Sequence, residues 1–326
     1  MQILSLFDGM SCGQIALNRL GLKPSKYYAA EIDKYAISVT MANYPETIQL
    51  GDATKWQSWD LTDGIEWDKI DLVIGGSPCQ GFSMAGKQLN FEDPRSRLFF
   101  TFVDIVEHVL EHNPKVKFLL ENVKMKKEHE AVISDYMLCN PIEINSALVS
   151  AQNRRRLYWT NIKGVDQPED KGIRLKDILE PEVSGIYDCT KQFFSKNKGT
   201  LAHKKAYANC RYLDEKSKCL TTGGQNISNS EATNVIKVDK KGNIKQNQNK
   251  SSCLTGGGNS GGNHSDMDLL IIDYGVRRLT PIECERLQTV PDNYTNQVSN
   301  TQRYKMLGNG WTVDVIAHIF KNLLHD

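Results

Sequence analysis

The chain has 326 residues, with 40 lysines and arginines against 39 aspartates and glutamates, and a formal net charge of +1. Hydrophobic residues make up 40% and charged residues 24%, which is typical of an ordinary globular protein. No apolar run approaches the roughly 18 residues that a membrane-spanning helix needs, and residues 1–7 lack the basic start of a signal peptide. Eight scattered cysteines without a Cys-x-x-Cys pair exclude a disulfide scaffold and a cysteine-based zinc site. We therefore expect a cytoplasmic protein without a structural metal.

Short apolar runs alternate with helical patterns over residues 1–160. Helices are predicted at 12–20, 34–43, 97–112 and 127–137, and the first of them ends at Gly21. Strands are predicted at 3–7, 27–32, 70–74, 116–120 and 142–148, with a further short one before Asp52. Because strands that alternate with helices at this spacing pair side by side, we expect an α/β fold with a doubly wound, parallel, Rossmann-like sheet.

The alternation fails from about residue 170 to 270, where turn residues dominate, and helical patterns return at 281–288 and 313–324. We therefore divide the chain into residues 1–168, a smaller, irregular and mostly β region at 169–275, and a segment at 276–326 that returns to the first region. Within the second region, 216–224 and 250–258 resemble each other at an offset of 34 residues. Two copies do not make a solenoid, and we interpret them as two strand–turn units with Thr- and Gly-rich loops.

The neutral total charge hides a basic segment. Residues 185–265 hold 13 lysines and arginines against 5 acidic residues, a net charge of +8, and the remainder carries −7. The same segment holds 10 asparagines and 10 of the 24 glycines. Such a composition indicates either a polyanion partner or a solvated, loop-rich insertion, and composition alone does not separate the two.

Glycines follow the first predicted strand, in the run Phe7-Asp8-Gly9-Met10-Ser11-Cys12-Gly13. A strand that leads through glycines into a helix lets a nucleotide-like ligand approach the backbone. The second predicted strand ends at Glu31-Ile32-Asp33, where an acidic residue commonly binds a ribose diol. Asp52 adds an acceptor at the same edge. Since the run is not Gly-x-Gly-x-x-Gly, we expect an adenosyl ligand without a diphosphate.

Reactive side chains follow the next strands. Cys79 lies after a buried strand, between Pro78 and Gln80-Gly81, and is a candidate nucleophile, the alternative being a packed cysteine. Glu121 ends the following strand and faces the same cleft or solvent. Arg154 and Arg156 share one face if 152–159 is a strand, because side chains alternate. They then suit an anionic or carbonyl-bearing substrate, or belong to a basic edge strand.

These features form an ordered set of six motifs that spans nearly the whole chain. The sequence resembles a DNA (cytosine-5) methyltransferase, in particular the mammalian de novo branch and its bacterial and phage relatives. The chain departs from the usual pattern at Ser11, where the family has a second glycine, and at Gly310-Trp311, where a small-aliphatic pair is more common. The motifs are Phe7-Asp8-Gly9…Gly13, Gly76-Ser77-Pro78-Cys79-Gln80-Gly81-Phe82-Ser83, Glu121-Asn122-Val123, Gln152-x-Arg154-x-Arg156, Arg278-Leu279-Thr280-Pro281-x-Glu283-Cys284-x-Arg286-Leu287-Gln288 and Leu307-Gly308-Asn309-Gly310-Trp311-Thr312-Val313.

The resemblance implies S-adenosylmethionine as the methyl donor. Phe7 would lie against the adenine, Glu31 would bind the ribose, and Asp52 would lie near the adenine amine. The full set of implied cofactor residues is Phe7, Asp8, Gly9, Gly13, Glu31, Ile32, Asp52, Ala53, Pro78, Asn309 and Trp311.

The resemblance also implies the chemistry and the partner. A cytosine would be flipped out of double-stranded DNA; Cys79 would attack its C6, Glu121 would hold and protonate N3, and Arg156, supported by Arg154, would bind O2. Residues 80–94 would form a mobile lid, and the basic segment would be the target-recognition region. The enzyme would act as a monomer, with a cognate restriction endonuclease as a compatible partner. DNA contacts are expected from Gln80, Ser83, Asn122, Thr221 and Thr255.

Three alternatives fit parts of the pattern. The tRNA-acting branch shares the catalytic motifs but typically has a Cys-Phe-Thr tripeptide, which this chain lacks. A catalytically silent DNA-binding regulator would not need Cys79, Glu121 and Arg156. A nicotinamide oxidoreductase explains the glycine turn and leaves Pro78-Cys79 unexplained.

Overall fold

The computed structural model describes residues 1–77, 94–188, 234–238, 244–245, 251–252, 269–272 and 275–324. No helix within these ranges has the length and apolar composition to cross a membrane. The helices are α1 (Cys12–Arg19), α2 (Lys34–Asn43), α3 (Trp59–Thr62), α4 (Pro94–His112), α5 (Lys127–Met137), α6 (Pro281–Leu287), α7 (Asn300–Asn309) and α8 (Val313–Phe320). The strands are β1 (Gln2–Leu6), β2 (Lys26–Ala30), β3 (Ile48–Gln49), β4 (Ile70–Gly75), β5 (Lys117–Val123), β6 (Ile142–Asn145), β7 (Gln152–Asn153), β8 (Arg155–Thr160), β9 (Asn234–Val238), β10 (Ile244–Lys245), β11 (Ser251–Ser252), β12 (Leu269–Ile272) and β13 (Gly275–Arg278).

Seven strands form the main sheet in the order β3-β2-β1-β4-β5-β8-β6. This arrangement confirms the predicted α/β, Rossmann-like sheet. The expectation of a wholly parallel sheet is wrong in one strand, because β8 runs antiparallel to both β5 and β6. The connection from β6 to β8 spans residues 146–154. It is shorter than the dozen or so residues that a parallel crossover needs, so the chain turns back along its neighbour.

Both faces of the main sheet are covered, because successive strand residues point to opposite sides. In β1, Ile3 belongs to a core that includes side chains of α1 and α8, and Leu4 belongs to a second core that includes side chains of α4. The same alternation separates Leu72 from Val73 in β4. The near-continuous apolar runs of β1 and β4 therefore reflect strands that are buried on both sides.

Only parts of the predicted recognition region at 169–275 lie within the described residues. Strands β10, β9, β12 and β13 form a four-stranded sheet in that order. Strand β11 pairs with β7 instead, and the Ser251 amide donates to the Ala151 carbonyl at 2.8 Å. The boundaries at 168 and 275 stay predictions, and most of the two Thr- and Gly-rich units, with Thr221 and Thr255, lies outside the described residues.

Helix α1 approaches the sheet closely at Gly13. A Cβ atom on Gly13 would lie 2.6 Å from Cδ1 of Ile74 and 2.8 Å from the hydroxyl of Tyr27. Both distances are shorter than van der Waals contact, so a glycine at this position permits the packing of α1 on β2 and β4.

We expect Gly13→Ala to lower the free energy of unfolding by about 1–3 kcal/mol, because an added methyl group overpacks this contact. Urea denaturation measures the change. Gly185→Ala is the matched control, since a Cβ atom there has no neighbour within 4 Å, and we expect a change within about 0.5 kcal/mol. Equal effects of the two substitutions would contradict the packing role of Gly13.

Candidate active site

A cavity of about 470 Å³ opens at the carboxyl ends of the central strands. In a sheet of this kind, the loops that leave these strand ends form the ligand site, and the volume lies within the roughly 300–1,000 Å³ common for small-molecule sites. Its walls combine residues after β1, β2, β3 and β4, the end of β5, Arg154 and Arg156, and the segment from α7 to Trp311.

The loop between β1 and α1 has an unusual backbone. Phe7, Gly9 and Ser11 adopt left-handed φ angles of 57°, 60° and 64°. Glycine adopts this conformation freely, whereas a residue with a side chain pays of order 1 kcal/mol or more. Ser11 is the position at which the sequence departs from the usual glycine of the motif. It is fully buried, and its hydroxyl accepts a hydrogen bond from the side-chain amide of Gln14. The carboxylate of Glu31 fixes the loop by accepting from the Gly9 amide at 2.8 Å.

The carboxylate of Asp8 is desolvated within this loop. One oxygen accepts from the hydroxyls of Ser5 at 2.6 Å and Tyr27 at 2.8 Å. The other oxygen is buried and accepts no hydrogen bond from the described residues. Desolvation raises the pKa of Asp8 to about 6, against the lowering effect of these hydroxyls and with a further increase from the charge of Glu31.

Three more acidic residues lie along the same wall of the cavity. Glu31 also accepts from the amides of Ile32 and Asp33, both at 2.8 Å. Asp52 begins a 3₁₀ turn at Ala53–Ser58; hydrogen bonds from the Thr54 amide, followed by its hydroxyl, lower the pKa of Asp52 despite some desolvation. Desolvation alone would raise the pKa of Asp33, but hydrogen bonds from Lys305 and the α2 amides lower it overall.

Glu121, near the end of β5, lines another part of the cavity. It is 8% exposed, and one carboxylate oxygen lies 2.8 Å from Nε of Arg156. The other oxygen accepts from the indole Nε1 of Trp311 at 3.2 Å. A Cβ atom at Gly76 would lie 2.9 Å from that indole nitrogen and 3.1 Å from the Glu121 carboxylate. A glycine at residue 76 therefore allows these two side chains to meet.

Arg154 does not share a strand with Arg156 as predicted, since it lies between β7 and β8. Its guanidinium donates to the carbonyls of Gly308 at 3.2 Å and Gly310 at 3.0 Å. Both arginines line the cavity, but only Arg156 lies beside Glu121. The geometry gives Arg154 a positioning role for the 308–310 segment.

Asn122, predicted to contact DNA, is 2% exposed. Its amide donates to the Ser77 hydroxyl at 3.2 Å. The contact ties the end of β5 to the residue that precedes Pro78. Direct contact of Asn122 with DNA stays a prediction.

The structure brings most of the predicted cofactor residues to one cavity, namely Phe7, Asp8, Gly9, Glu31, Ile32, Asp52, Ala53, Asn309 and Trp311. Gly13 is not among the lining residues, because it packs α1 against the sheet. Pro78, Cys79, Gln80 and Ser83 lie outside the described residues, as does nearly all of the predicted 80–94 lid.

Sequence reasoning missed several lining residues, and three of them come from α7, which was not predicted. Gln302, Lys305 and Met306 belong to this helix. Cys12 also lines the cavity; burial raises its pKa to about 12, which keeps it a thiol near neutral pH.

Known proteins are similar to this chain in sequence and in fold. The profile of the C-5 cytosine-specific DNA methylase family matches residues 1–325. The Type II methyltransferase M1.ScrFI of Lactococcus lactis subsp. cremoris is 30% identical over 99% of this chain and 78% of its own length. M.HpaII of Haemophilus parainfluenzae is 30% identical over 98% and 88%, respectively. The crystal structure of the S. pombe Dnmt2 methyltransferase aligns with a TM-score of 0.63 over 100% of this chain and 98% of its own, at 18% identity, which shows the fold alone.

We expect Arg154→Lys to lower the free energy of unfolding by about 2–4 kcal/mol, because the ammonium group of a lysine cannot replace a buried guanidinium that bridges the carbonyls of Gly308 and Gly310. Arg155→Lys is the matched control. The guanidinium of Arg155 is exposed and pairs with Glu143 at 3.2 Å. An exposed ion pair of this kind contributes about 0–1 kcal/mol. Chemical denaturation compares the two variants. A loss at Arg154 no larger than at Arg155 would contradict the positioning role.

The raised pKa of Asp8 predicts a stability that falls as pH rises. Because the native state binds this proton more tightly than the unfolded chain, the contribution is complete below the ordinary pKa of 3.8 and is lost by about pH 6. We expect Asp8→Asn to remove this decline from urea-denaturation curves across that range. Asp33→Asn is the control of opposite sign, since its lowered pKa stabilises the fold above the ordinary value and the benefit is lost on acidification. A carboxyl resonance of Asp8 that titrates near pH 3.8 in ¹³C NMR would contradict the prediction.

Proposed function

The chain belongs to the C-5 cytosine-specific DNA methylase family, and on that basis we propose that it methylates C5 of a cytosine within a specific sequence of double-stranded DNA. By family it is a DNA (cytosine-5-)-methyltransferase. The proposal adds S-adenosylmethionine as the methyl donor, a flipped cytosine as the acceptor, and transient covalent attack by Cys79 on C6.

The arrangement around Glu121 carries the proposal. A carboxyl group fixed between the guanidinium of Arg156 and the indole of Trp311 presents an acid and a cation at one end of the cavity. Such a pair suits the polar edge of a cytosine, with Glu121 at N3 and Arg156 at O2. Ser77 is hydrogen-bonded to the neighbour of Glu121. Cys79, the proposed nucleophile, follows Ser77 by two residues in the sequence.

The residues of the cavity fit S-adenosylmethionine. The buried oxygen of Asp8 that lacks a hydrogen bond is an acceptor suited to the ammonium group of the methionine part. Glu31 accepts three backbone amides, and a carboxylate with about four acceptor positions keeps one for a ribose hydroxyl. Ile32 is an apolar side chain that is 76% exposed on the rim, and with Phe7 it offers an apolar surface to an adenine. When bound, the cofactor supplies an electrophilic methyl group.

In the proposed reaction, three side chains of this protein have separate roles. C5 of cytosine is a weak nucleophile, and addition of the Cys79 thiolate to C6 makes it reactive. Protonation of N3 by Glu121 takes up the electron pair that this addition releases into the ring, and Arg156 stabilises the charge at O2. C5 accepts the methyl group as the bond between that group and the cofactor breaks, and N3 returns its proton to Glu121. C5 then loses its own proton to water, the C5–C6 double bond forms again, and Cys79 leaves C6 as a thiolate.

The basic 185–265 segment supports DNA as the partner. Its net charge of +8 stands against −7 for the rest of the chain, and lysine–phosphate contacts position a protein on DNA without specifying a sequence. We propose that this segment carries target recognition. The Type II relatives make a cognate restriction endonuclease a further proposed partner.

We expect Cys79→Ser to lower methyl transfer at least about a thousand-fold, as loss of a catalytic nucleophile does elsewhere, while S-adenosylmethionine binding stays nearly unchanged. Tritium transfer to DNA and titration calorimetry measure the two effects on one preparation. Cys139→Ser is the matched control, because Cys139 is half-buried and does not line the cavity.

DNA that carries 5-fluorocytosine should trap a denaturation-resistant adduct with the wild type and with the Cys139 variant, since fluorine cannot leave C5 as a cation. The Cys79 variant should form none. An active Cys79 variant, or an adduct that forms without Cys79, would reject the assignment of the nucleophile.

A further inference from the structure

We propose that His108, Glu111 and His112 on α4 form a surface site for one divalent transition-metal ion, such as Zn²⁺. Each of the three side chains offers one ligand atom, and these atoms lie within 4.8 Å of one another. Among the residues that the structure describes, no other group of His, Cys, Asp or Glu meets this geometry. Side chains at i and i+4, and at i and i+3, lie on one face of a helix, which explains why the cluster forms.

The ring of His112 is oriented as metal-bound histidines commonly are. Its Nδ1 lies 2.8 Å from the His108 carbonyl oxygen, and because a carbonyl only accepts, Nδ1 carries the proton in this hydrogen bond. The lone pair therefore lies on Nε2. A hydrogen bond from one ring nitrogen to a backbone carbonyl fixes both the tautomer and the direction of the other nitrogen.

The ring of His108 is held by aromatic neighbours. Its centroid lies 5.0 Å from that of Trp56 and 4.9 Å from that of Trp67. An imidazole that is restrained in this way loses little freedom when it binds a metal.

The local charge favours a cation. Residues 101–112 contain Asp104, Glu107 and Glu111 and no lysine or arginine. The cluster also lies in the last turn of α4, where the helix dipole attracts positive charge.

The ligand chemistry selects the class of metal. Imidazole nitrogen binds Zn²⁺, Ni²⁺ and Cu²⁺ in preference to Mg²⁺ or Ca²⁺, and affinity rises towards Cu²⁺. The spacing His-x-x-Glu-His also occurs in a class of zinc peptidases. Here none of the three residues lines the cavity, so we propose metal binding and no peptidase activity. Cysteine spacings do not predict this pattern, because it contains no cysteine.

Titration calorimetry of metal-free, full-length protein with ZnCl₂ tests the proposal. We expect one site in the wild type and at least an approximately ten-fold weaker Kd in His112→Gln, because one of two imidazole ligands is lost. His129→Gln, on α5, is the matched control and should bind as the wild type does. His112 is exposed, and circular dichroism verifies that its variant is folded.

Cu²⁺ provides a second measurement that depends on the position of the site. Since Trp56 and Trp67 flank His108, one equivalent of Cu²⁺ should quench tryptophan fluorescence in the wild type and in the His129 variant, and much less in His112→Gln. Electron paramagnetic resonance should show two nitrogen ligands in the wild type and one in that variant. Unchanged Zn²⁺ affinity in His112→Gln, or binding that Cys79→Ser abolishes instead, would overturn the proposal.

Discussion

The last turn of α7 and the residue after it, Gly310, leave backbone carbonyls that the helix itself does not satisfy, and the cavity depends on how these carbonyls find partners. Arg154 takes the carbonyls of Gly308 and Gly310. Gln288, at the end of α6, donates to the carbonyls of Leu307 at 2.6 Å and Gly310 at 3.3 Å. A buried carbonyl without a partner costs about 1–3 kcal/mol. These two side chains therefore satisfy the end of α7 at the point where the chain continues to Trp311, which contacts Glu121.

The motif around α6 serves the same scaffold without touching the cavity. Thr280 and Glu283 form a capping box at the start of α6, and Glu283 also accepts a forked pair of hydrogen bonds from Arg277. Glu285 faces Arg303 on α7 at 3.0 Å. Both glutamates are fully buried; removing one partner of such a pair leaves an uncompensated charge, at a cost of several kcal/mol. The six motifs that carry the family resemblance thus contain two kinds of residue. Some line the cavity, and others hold α6 and α7 in place.

Much of the fold follows from local pattern, and the rest depends on long-range contacts. Apolar runs predicted the strands and amphipathic spacing predicted the first helices. The predicted single helix at 313–324 is α8 followed by a 3₁₀ turn at Lys321–Leu324. Helix α7 was missed because its sequence is polar, and its buried face includes Arg303, which becomes favourable there only through hydrogen bonds to Glu285 and Thr295 outside the helix. The strand order could not be predicted either, since the pairing of Val123 with Arg156 is a property of the assembled sheet.

The candidate site, like the fold, was predictable in part from the local sequence and depends otherwise on long-range contacts. Glu121 and Arg156 were found from strand ends and spacing, and the structure places them in contact. The separate role of Arg154 was not predictable, because it depends on carbonyl groups more than 150 residues away in the chain. The resemblance assigned Gly13 to the cofactor, and its close packing against Tyr27 and Ile74 could not be predicted, because those residues are distant in the sequence.

The two walls of the cavity come from opposite parts of the chain, since Gly9 and Asn309 both line it. During synthesis, at about 5–20 residues per second, roughly 300 residues and 15–60 s separate the appearance of these two walls. The β1–α1 loop therefore exists for that time without the Gly308–Trp311 segment that encloses it. A nascent chain can order its first strands and helices early, but it cannot complete this cavity until α7 has left the ribosome. The order of synthesis thus delays the binding of any ligand in the cavity until residues 308–311 have been made.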